Sequence, residues 1–241
     1  MIGAGWCGVC GHIGEYVVSD APTRENHACS VCNASLRYRN QAQAIASTFG
    51  LQDVPLAQLP DKPGFRDLVL YEPGIEGPLR QFLQRVPNYL NSYFWAGVPR
   101  GSEHDGVRCE DLRDLTLADE SVDLVVSSDI FEHVRDPMPA FAELYRVLRP
   151  GGHHIFTVPI FWPLQPTSVA RVDWSGPQDV FLMDPVYHGS PTDPQGSLVY
   201  TDFGMDLPEQ MRELGFETCA HHGYRNAVTF VSRKPANPAN I

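Results

Sequence analysis

Two short apolar runs on either side of one amphipathic segment constrain the fold more than any other part of this sequence. Val122–Ser128 (VDLVVSS) and His153–Pro159 (HHIFTVP) each have the length and composition of a single buried strand. Between them, Pro139–Leu148 (PAFAELYRVL) has its apolar residues at helical spacing, and the sequence RPGG at 149–152 predicts where that helix ends. Strand, helix and strand in this order predict a βαβ unit of a parallel sheet.

The same alternation extends along the chain in both directions. Earlier strands are predicted at Asp67–Tyr71, Tyr89–Trp95 and Val107–Cys109. Helices are predicted at Pro78–Val86, which has a proline in its first turn, and at Leu207–Leu214, which precedes a hairpin of about 216–222 and 227–233. Together these elements predict an α/β fold with a parallel, doubly wound sheet.

The remaining segments differ from this domain in composition. Residues 1–40 contain a cysteine module, and 41–64 contain a short helix, predicted from Asn40 to Phe49, and a proline-containing linker. The main domain is predicted to span 65–233. Inside it, residues at about 161–200 lose all periodicity and are rich in Pro, Gly, Trp and Tyr, which is typical of a substrate-facing cap. Residues 234–241 are predicted to be a flexible tail.

The cysteine module has the spacing of a metal site. Cys7 and Cys10 form one CxxC hook, and Cys29 and Cys32 form a second hook eighteen residues further on. Four thiolates complete a tetrahedral zinc site with no open position, so the predicted metal is structural. His12 and His27 lie beside the hooks as alternative ligands. Disulfides are the other interpretation, and a reducing compartment disfavours them.

The charge of the chain limits the classes of partner. The formal net charge is −11, with 29 acidic and 18 basic side chains and no run of Lys or Arg. This balance repels phosphate backbones and anionic lipid, so nucleic acid and membranes are not expected partners. No basic region followed by an apolar segment marks the N-terminus, and we therefore expect a cytoplasmic protein. A small-molecule or glycan acceptor fits better, and a homo-oligomer is left open.

Four sequence features occur in order between Cys109 and Pro159. An acidic residue follows the third strand, D-LV opens the fourth, EHV follows it, and RVLRPGG precedes the fifth. In this order and spacing the segment resembles class I S-adenosylmethionine-dependent methyltransferases of the type 11 kind, and the resemblance extends over about 66–233. Members with an N-terminal zinc ribbon or knuckle held by four cysteines are also known. The resemblance implies a Rossmann-like, seven-stranded, mostly parallel doubly wound sheet.

The resemblance also implies where the cofactor S-adenosylmethionine binds. The loop EPGIEG after the first strand takes the place of the glycine loop around the cofactor's amino-acid part, and the residues after the third strand take the place that meets the adenine. Ser128 and Asp129 close the pocket after the fourth strand. The implied cofactor-binding residues are Glu72, Pro73, Gly74, Gly77, Ser92, Tyr93, Asp111, Leu112, Ser128 and Asp129.

Two departures from the family pattern concern this pocket. EPGIEG has two glycines where the family has GxGxG, and the second strand ends without the usual carboxylate for the ribose hydroxyls. Ser92 or Tyr93 is left for that role, and a neutral hydrogen bond is weaker than a charge-assisted one. Asp111 has an alternative interpretation as a solvated turn carboxylate.

Three residues are candidates for catalysis. His133 lies just beyond the fourth strand and is the first candidate for a base, with packing under the helix as its alternative role. Tyr187 and His188 in the cap are the second candidates, because YHG, GSLVY and FG together resemble a pattern in uncharacterised bacterial methyltransferases. Glu132 is interpreted as a surface helix residue without a chemical role.

The resulting hypothesis is an enzyme of biosynthesis, an S-adenosylmethionine-dependent methyltransferase that methylates an oxygen of a small molecule, natural product or sugar. Two alternatives stay open. One is a non-methylating cyclase or lyase that uses the same fold, and the other is a non-catalytic binding module whose zinc knuckle is the contact surface.

Overall fold

The structure of the chain is a computed structural model that describes residues 4–224 and 227–236. Residues 237–241, which form most of the predicted tail, lie outside this range, as do residues 1–3 of the cysteine module. Among the described residues, no helix is both long and apolar enough to cross a membrane.

The strands of the described residues alternate with a few helices. In chain order the strands are β1 (Ala4–Trp6), β2 (Ile13–Val17), β3 (Ala28–Cys29), β4 (Val69–Pro73), β5 (Asn88–Tyr93), β6 (Glu103–His104), β7 (Val107–Cys109), β8 (Val122–Ser128), β9 (Leu148–Thr157), β10 (Val169–Ala170), β11 (Val172–Asp173), β12 (Val180–Phe181), β13 (Tyr187–His188), β14 (Ser197–Leu198), β15 (Thr201–Asp202), β16 (Glu217–Tyr224) and β17 (Ala227–Arg233). The α-helices are α1 (Leu36–Thr48), α2 (Arg80–Leu83), α3 (Pro137–Val147) and α4 (Leu207–Glu213). Short 3-10 helices cover Thr23–Glu25, Leu56–Asp61 and Phe131–His133.

Eight strands form the central sheet, in the order β16-β17-β9-β8-β4-β5-β7-β6. The five strands from β9 to β7 are parallel to one another, whereas β17, β16 and β6 are antiparallel to their neighbours. The predicted seven-stranded, mostly parallel sheet is confirmed. The eighth strand, β6, is two residues long and was not predicted.

Alternating side chains of the central strands enter two separate hydrophobic cores. Tyr71, Val125 and Phe156 point to the core under α3 and α4, and their neighbours Leu70 and Leu124 point to the core under α1. Both sets are almost fully buried, so the sheet is covered on both faces, as in a doubly wound fold. This arrangement leaves the ends of the strands as the part of the sheet open to a ligand.

Several element boundaries differ from the sequence predictions. The sequence RPGG at 149–152 lies inside β9 rather than between α3 and the strand, because α3 ends at Val147 and the chain pairs at once with β8. Gly151 has φ +85°, and a β-carbon on Gly152 would lie 2.9 Å from the Arg149 carbonyl oxygen, so this irregular turn of the strand requires glycine. The predicted helix at 78–86 is shorter, with four residues in α2.

The cysteine module and the cap lie outside the central sheet. The module is a three-stranded sheet, β1-β2-β3, that leads into α1, which begins at Leu36, earlier than predicted. The predicted linker includes the turn Leu56–Asp61, whose Leu56 and Leu59 are fully buried in the α1 core. The cap region contains three small antiparallel pairs, β10-β15, β11-β12 and β13-β14.

Candidate functional site

A cleft of about 1400 Å³ opens where the parallel strands end. Its floor is formed by the residues that follow β4, β5, β7 and β8. The strand order changes direction at β4, which pairs with β5 on one side and with β8 on the other. A change of this kind separates the loops at the carboxyl ends of the strands and leaves a crevice between them.

The cleft brings together all of the residues proposed from the sequence for cofactor binding or catalysis. The cofactor set that lines it is Glu72, Pro73, Gly74, Gly77, Ser92, Tyr93, Asp111, Leu112, Ser128 and Asp129. The catalytic set that lines it is His133, Tyr187 and His188. Since these residues come from five separate parts of the chain, their convergence is a property of the topology.

The loop after β4 is shaped by its two glycines. Gly74 and Gly77 have φ values of +113° and +127°, a region that residues with a β-carbon rarely adopt. The N–H of Gly74 donates to the carbonyl of Ser92 at 2.8 Å, which ties the loop to the end of β5. The backbone of this loop therefore lies against the end of β5, and the cleft beside the loop has room for a ligand.

Glu72 is a buried carboxyl group at the start of this loop. It is 8% exposed, and the hydroxyl of Tyr89 donates to its Oε2 at 2.5 Å. Burial raises the pKa of Glu72 to about 7, although Tyr89 and the guanidinium of Arg80 act in the opposite direction. Glu72 therefore changes charge near neutral pH, and its ionised form attracts a cationic ligand.

Several other predicted cofactor residues already have partners in the protein. The hydroxyl of Ser92 pairs with that of Tyr71 at 2.6 Å and is buried, whereas the hydroxyl of Tyr93 lies 3.0 Å from Thr192 in the cap. Against the effect of burial, hydrogen bonds from Arg113 hold the pKa of Asp111 below its usual range. Of the two candidates at the end of β5, Tyr93 is therefore the one whose hydroxyl is nearer to the cleft.

Asp129 connects the cleft to the cysteine module. Arg24 of the module donates from both terminal nitrogens to the Asp129 carboxylate, at 2.6 and 2.9 Å, and Arg37 of α1 lies 3.3 Å away. The hydroxyl of Thr157 adds a further hydrogen bond at 2.8 Å. Burial opposes ionisation here, yet the guanidinium groups of Arg37 and Arg24 lower the pKa of Asp129 well below its usual range. Asp129 is an ionised carboxylate with a full set of partners.

Glu132 lies one turn further along the same loop and has a very different environment. It is completely buried, and both of its carboxylate oxygens lack a hydrogen-bond partner among the described residues. Its Oε1 lies 3.7 Å from Nε2 of His133 and 3.8 Å from Nδ1 of His188. Burial, with a contribution from the charge of Asp129, raises the pKa of Glu132. Two imidazoles and one carboxylate thus face one another at the cap side of the cleft.

The cap supplies the second half of this cluster. Tyr187 and His188 form β13, which pairs with Ser197–Leu198 of β14 in the register Tyr187 to Leu198 and His188 to Ser197. Gly196 makes that pairing possible, because a β-carbon there would lie 2.2 Å from the carbonyl oxygen of His188. The sequence elements YHG and GSLVY therefore form one hairpin that presents His188 to the cleft, with Tyr187 about half exposed at the mouth.

The four cysteines of the two hooks also converge. The Sγ atoms of Cys7 and Cys32 lie 3.8 Å apart, those of Cys10 and Cys29 lie 3.7 Å apart, and all four lie within 4.8 Å of one another. A disulfide requires about 2.05 Å between sulfur atoms. The edges of a tetrahedron with zinc–sulfur bonds of about 2.3 Å are about 3.8 Å long. The residues present therefore fit a four-thiolate zinc ion and fit no disulfide.

Three residues at this site were not predicted from the sequence: Glu132, which is buried behind the lining of the cleft, and two arginines of the lining itself. Glu132 was interpreted as a surface residue, although it is fully buried, and its position beside His133 in EHV was the available signal. The two arginines are Arg24 and Arg37. No local pattern marks them, because their partner Asp129 lies about a hundred residues away in the sequence.

Comparison with known proteins links part of the chain to a family. Residues 95–156 match the sequence profile of the family described as "Methyltransferase domain". The malonyl-[acyl-carrier protein] O-methyltransferase of Marinomonas sp. (strain MWYL1) is 45% identical over 49 residues, which are 20% of this chain and 18% of that protein. The chain spans about a fifth of the length of the curated relatives that it matches.

Solved structures with a similar arrangement have low sequence identity. A crystal structure of an S-adenosylmethionine-dependent methyltransferase from Mesorhizobium loti has a TM-score of 0.45 and 18% identity, over 73% of this chain and 97% of that chain. The crystal structure of the [4+2]-cyclase SpnF has a TM-score of 0.46 and 13% identity, over 92% of this chain and 87% of that chain.

Proposed function

We propose that this chain, which carries the fold and a sequence segment of the S-adenosylmethionine-dependent methyltransferases, transfers the methyl group of that cofactor to an oxygen of a small acceptor. The observation that carries the proposal is the convergence of every predicted cofactor residue on the cleft at the strand ends. A small molecule, natural product or sugar is the proposed acceptor class, because the chain has a net charge of −11 and no run of basic residues.

In this proposal the cofactor lies on the floor of the cleft. The loop after β4 receives its amino-acid part, Tyr93 is near its ribose, and Asp111 with Leu112 is near its adenine. The sulfonium and ammonium groups of the cofactor are cationic, and the ionised form of Glu72 favours cationic groups on the floor. The cap residues Tyr187 and His188, on the same cleft, would contact the acceptor.

Methyl transfer is an in-line displacement, so the main requirement is alignment of the acceptor oxygen with the sulfur–carbon bond. A lone pair of the oxygen forms the new bond to carbon as the bond to sulfur breaks, and S-adenosylhomocysteine leaves. A hydroxyl acceptor must also lose its proton. His133 and His188, held beside Glu132, form the group at which we place this activation, with Tyr187 as an acceptor contact.

We also propose that the four thiolates of Cys7, Cys10, Cys29 and Cys32 bind a structural zinc ion. A site closed by four protein ligands has no position for a substrate, so the ion acts on folding rather than on chemistry. Arg24 lies between the two hooks in sequence and reaches Asp129 in the cleft. Folding of the module around zinc therefore sets the position of one wall of the cleft.

The first experiment is calorimetric titration of the zinc-loaded protein with S-adenosylmethionine and S-adenosylhomocysteine, followed by an acceptor screen with a labelled methyl donor. We expect both compounds to bind. Glu72→Gln is expected to weaken binding of both several-fold, whereas Asp61→Asn, which alters an exposed ion pair with Arg85, is the control and is expected to leave it unchanged. If neither compound binds the wild type, the proposal is wrong.

A non-methylating reaction in the same cleft is the second candidate. It is favoured by the end of β5, a strand the structure describes in full, where no carboxylate is present and the Ser92 hydroxyl is turned to Tyr71. Cofactor binding without any formation of S-adenosylhomocysteine across the acceptor screen would favour this candidate. Binding of neither the cofactor nor its product would leave the non-catalytic binding module.

A further inference from the structure

The cluster at the cap side of the cleft contains a buried carboxylate without a donor. Glu132 has no exposed surface, and neither of its oxygens accepts a hydrogen bond among the described residues. Leaving a buried polar group unpaired costs about 1–3 kcal/mol, and more when the group is charged. Asp129 on the same loop shows that this fold can supply a buried acid with cationic partners. The two unpaired carboxylate oxygens of Glu132 therefore indicate that a ligand binds there.

The orientation of His133 points to the same place. Its Nδ1 lies 2.8 Å from the carbonyl oxygen of Leu198, and only an N–H can donate to that oxygen. Nδ1 therefore carries a proton, and Nε2 is the ring nitrogen that faces Glu132, 3.7 Å away. A backbone carbonyl that fixes the distal nitrogen in this way is the usual support for a metal-binding histidine.

We propose that Glu132, His133 and His188 bind a divalent transition-metal ion whose remaining positions face the cleft. One ligand atom from each residue lies within 4.8 Å of the others, and the carboxylate oxygen is 3.7 and 3.8 Å from the two imidazole nitrogens. Metal–ligand bonds of about 2.0–2.2 Å place ligand atoms about 3.0–3.5 Å apart. The three side chains would therefore have to move closer to one another by between a few tenths of an ångström and about 1 Å.

The ligand chemistry selects the kind of ion. Two imidazoles and one carboxylate are suited to zinc, iron(II), manganese or cobalt, whereas magnesium and calcium prefer ligand sets made of oxygen. Three protein ligands leave at least one position open, unlike the four-thiolate site. The two sites of the chain thus differ in kind, one closed by sulfur and one open to the cleft.

The ion would also activate the hydroxyl of the acceptor, and this part of the inference rests on the proposed function. A metal-bound hydroxyl has a lowered pKa, so the acceptor loses its proton to water and keeps its oxygen fixed on the ion. The oxygen lone pair then forms the bond to the methyl carbon while the carbon–sulfur bond breaks. The acceptor class is therefore a small molecule with a hydroxyl that can bind a metal ion. Metal binding itself does not depend on methyl transfer.

The test begins with metal stoichiometry, measured by elemental analysis of dialysed full-length protein after incubation with zinc. We expect two zinc ions per chain in the wild type and one in His188→Gln and in Glu132→Gln. His104→Gln, which alters a histidine far from the cluster that is about half exposed, is the matched control and should retain two. Far-ultraviolet circular dichroism checks that each variant is folded.

Cobalt(II) gives a second readout that separates the two sites. Cobalt at four thiolates has strong charge-transfer absorption in the near ultraviolet, whereas cobalt at imidazole and carboxylate has only weak visible bands. We expect the visible bands to appear when cobalt is added to wild type that carries one zinc ion per chain, at the four cysteines, and to be absent from His188→Gln treated in the same way.

The possible outcomes distinguish this inference from the proposed function. A wild type that binds one ion per chain with zinc, cobalt and manganese overturns the metal site, and methyl transfer by that same preparation would leave the proposed function intact. Loss of methyl transfer on removal of the second ion, with restoration when it is returned, supports the acceptor role. Methyl transfer that continues unchanged without the second ion overturns that role.

Discussion

The two walls of the cleft provide very different partners for two neighbouring acidic side chains. On the side of the cysteine module, Asp129 is paired with two guanidinium groups and a hydroxyl, so this largely buried acid is ionised and fully paired. The cap wall meets Glu132 with two imidazoles at 3.7 and 3.8 Å and leaves its oxygens unpaired. The two acids are three residues apart on one loop, and the Asp129 side chain is 17% exposed whereas Glu132 is fully buried. Their different partners indicate that one wall is built for stability and the other for a ligand.

The first way to test this comparison is Asp129→Asn, for which we expect the largest effect. Asn tolerates the positive φ of this position, +52°, so the change removes the charge and spares the backbone. Removing one partner of a buried ion pair is expected to lower the free energy of unfolding by about 3 kcal/mol. Urea denaturation measures it. Glu217→Gln, in an exposed pair with Arg233, is the control and should change it by less than about 0.5 kcal/mol. Equal effects of the two variants would contradict the assignment of this wall.

Glu72 on the floor is an intermediate case, with one strong hydrogen bond and a pKa of about 7. Because folding raises this pKa from 4.5, the stability that Glu72 contributes is complete below 4.5 and is lost as the pH rises through about 7. Glu72→Gln lacks this loss. We expect the difference in unfolding free energy between variant and wild type to shift in favour of the variant by about 2 kcal/mol from roughly pH 5 to pH 8. Parallel curves for the two proteins would show that Glu72 titrates normally, even with Tyr89 and Arg80 beside it.

Glu132→Gln is expected to have the smallest effect on stability. The wild-type side chain has no hydrogen-bond partner to lose among the described residues, so in protein that carries zinc only at the four cysteines the free energy of unfolding should change by less than about 1 kcal/mol. The same variant should lose the second metal ion. A loss of stability as large as that of Asp129→Asn would mean that Glu132 is a structural acid after all, and the contrast between the two walls would fail.

Much of the sheet was predictable from the sequence because its signals are local. Val107–Cys109 and Val122–Ser128 are strands with the bounds that their apolar runs predicted. The RPGG sequence was predicted as a helix stop, since glycine and proline have the same local meaning there as in the irregular strand that the structure has. The deciding factor was the pairing of that strand with β8, which is not a local property.

The candidate site was predictable only as a set of loop positions. The ends of parallel strands meet at one edge of the sheet, and for that reason residues as distant as Glu72 and Asp129 were placed in one pocket. Partners could not be predicted in the same way. The pairing of Arg24 with Asp129 and the approach of His188 to Glu132 depend on how the module and the cap fold against the loop.

The cap is one continuous insertion between β9 and α4, and its own strands pair with one another rather than with the central sheet. Its length and sequence can therefore vary during evolution while the floor of the cleft stays unchanged. Among the cap side chains that contact the rest of the cleft, His188 is the one that faces the buried Glu132 of the loop after β8. Under the proposed function, a cap exchanged between related chains would bring a new acceptor preference with it, and the proposed metal site would remain only if the new cap placed an imidazole at the same point.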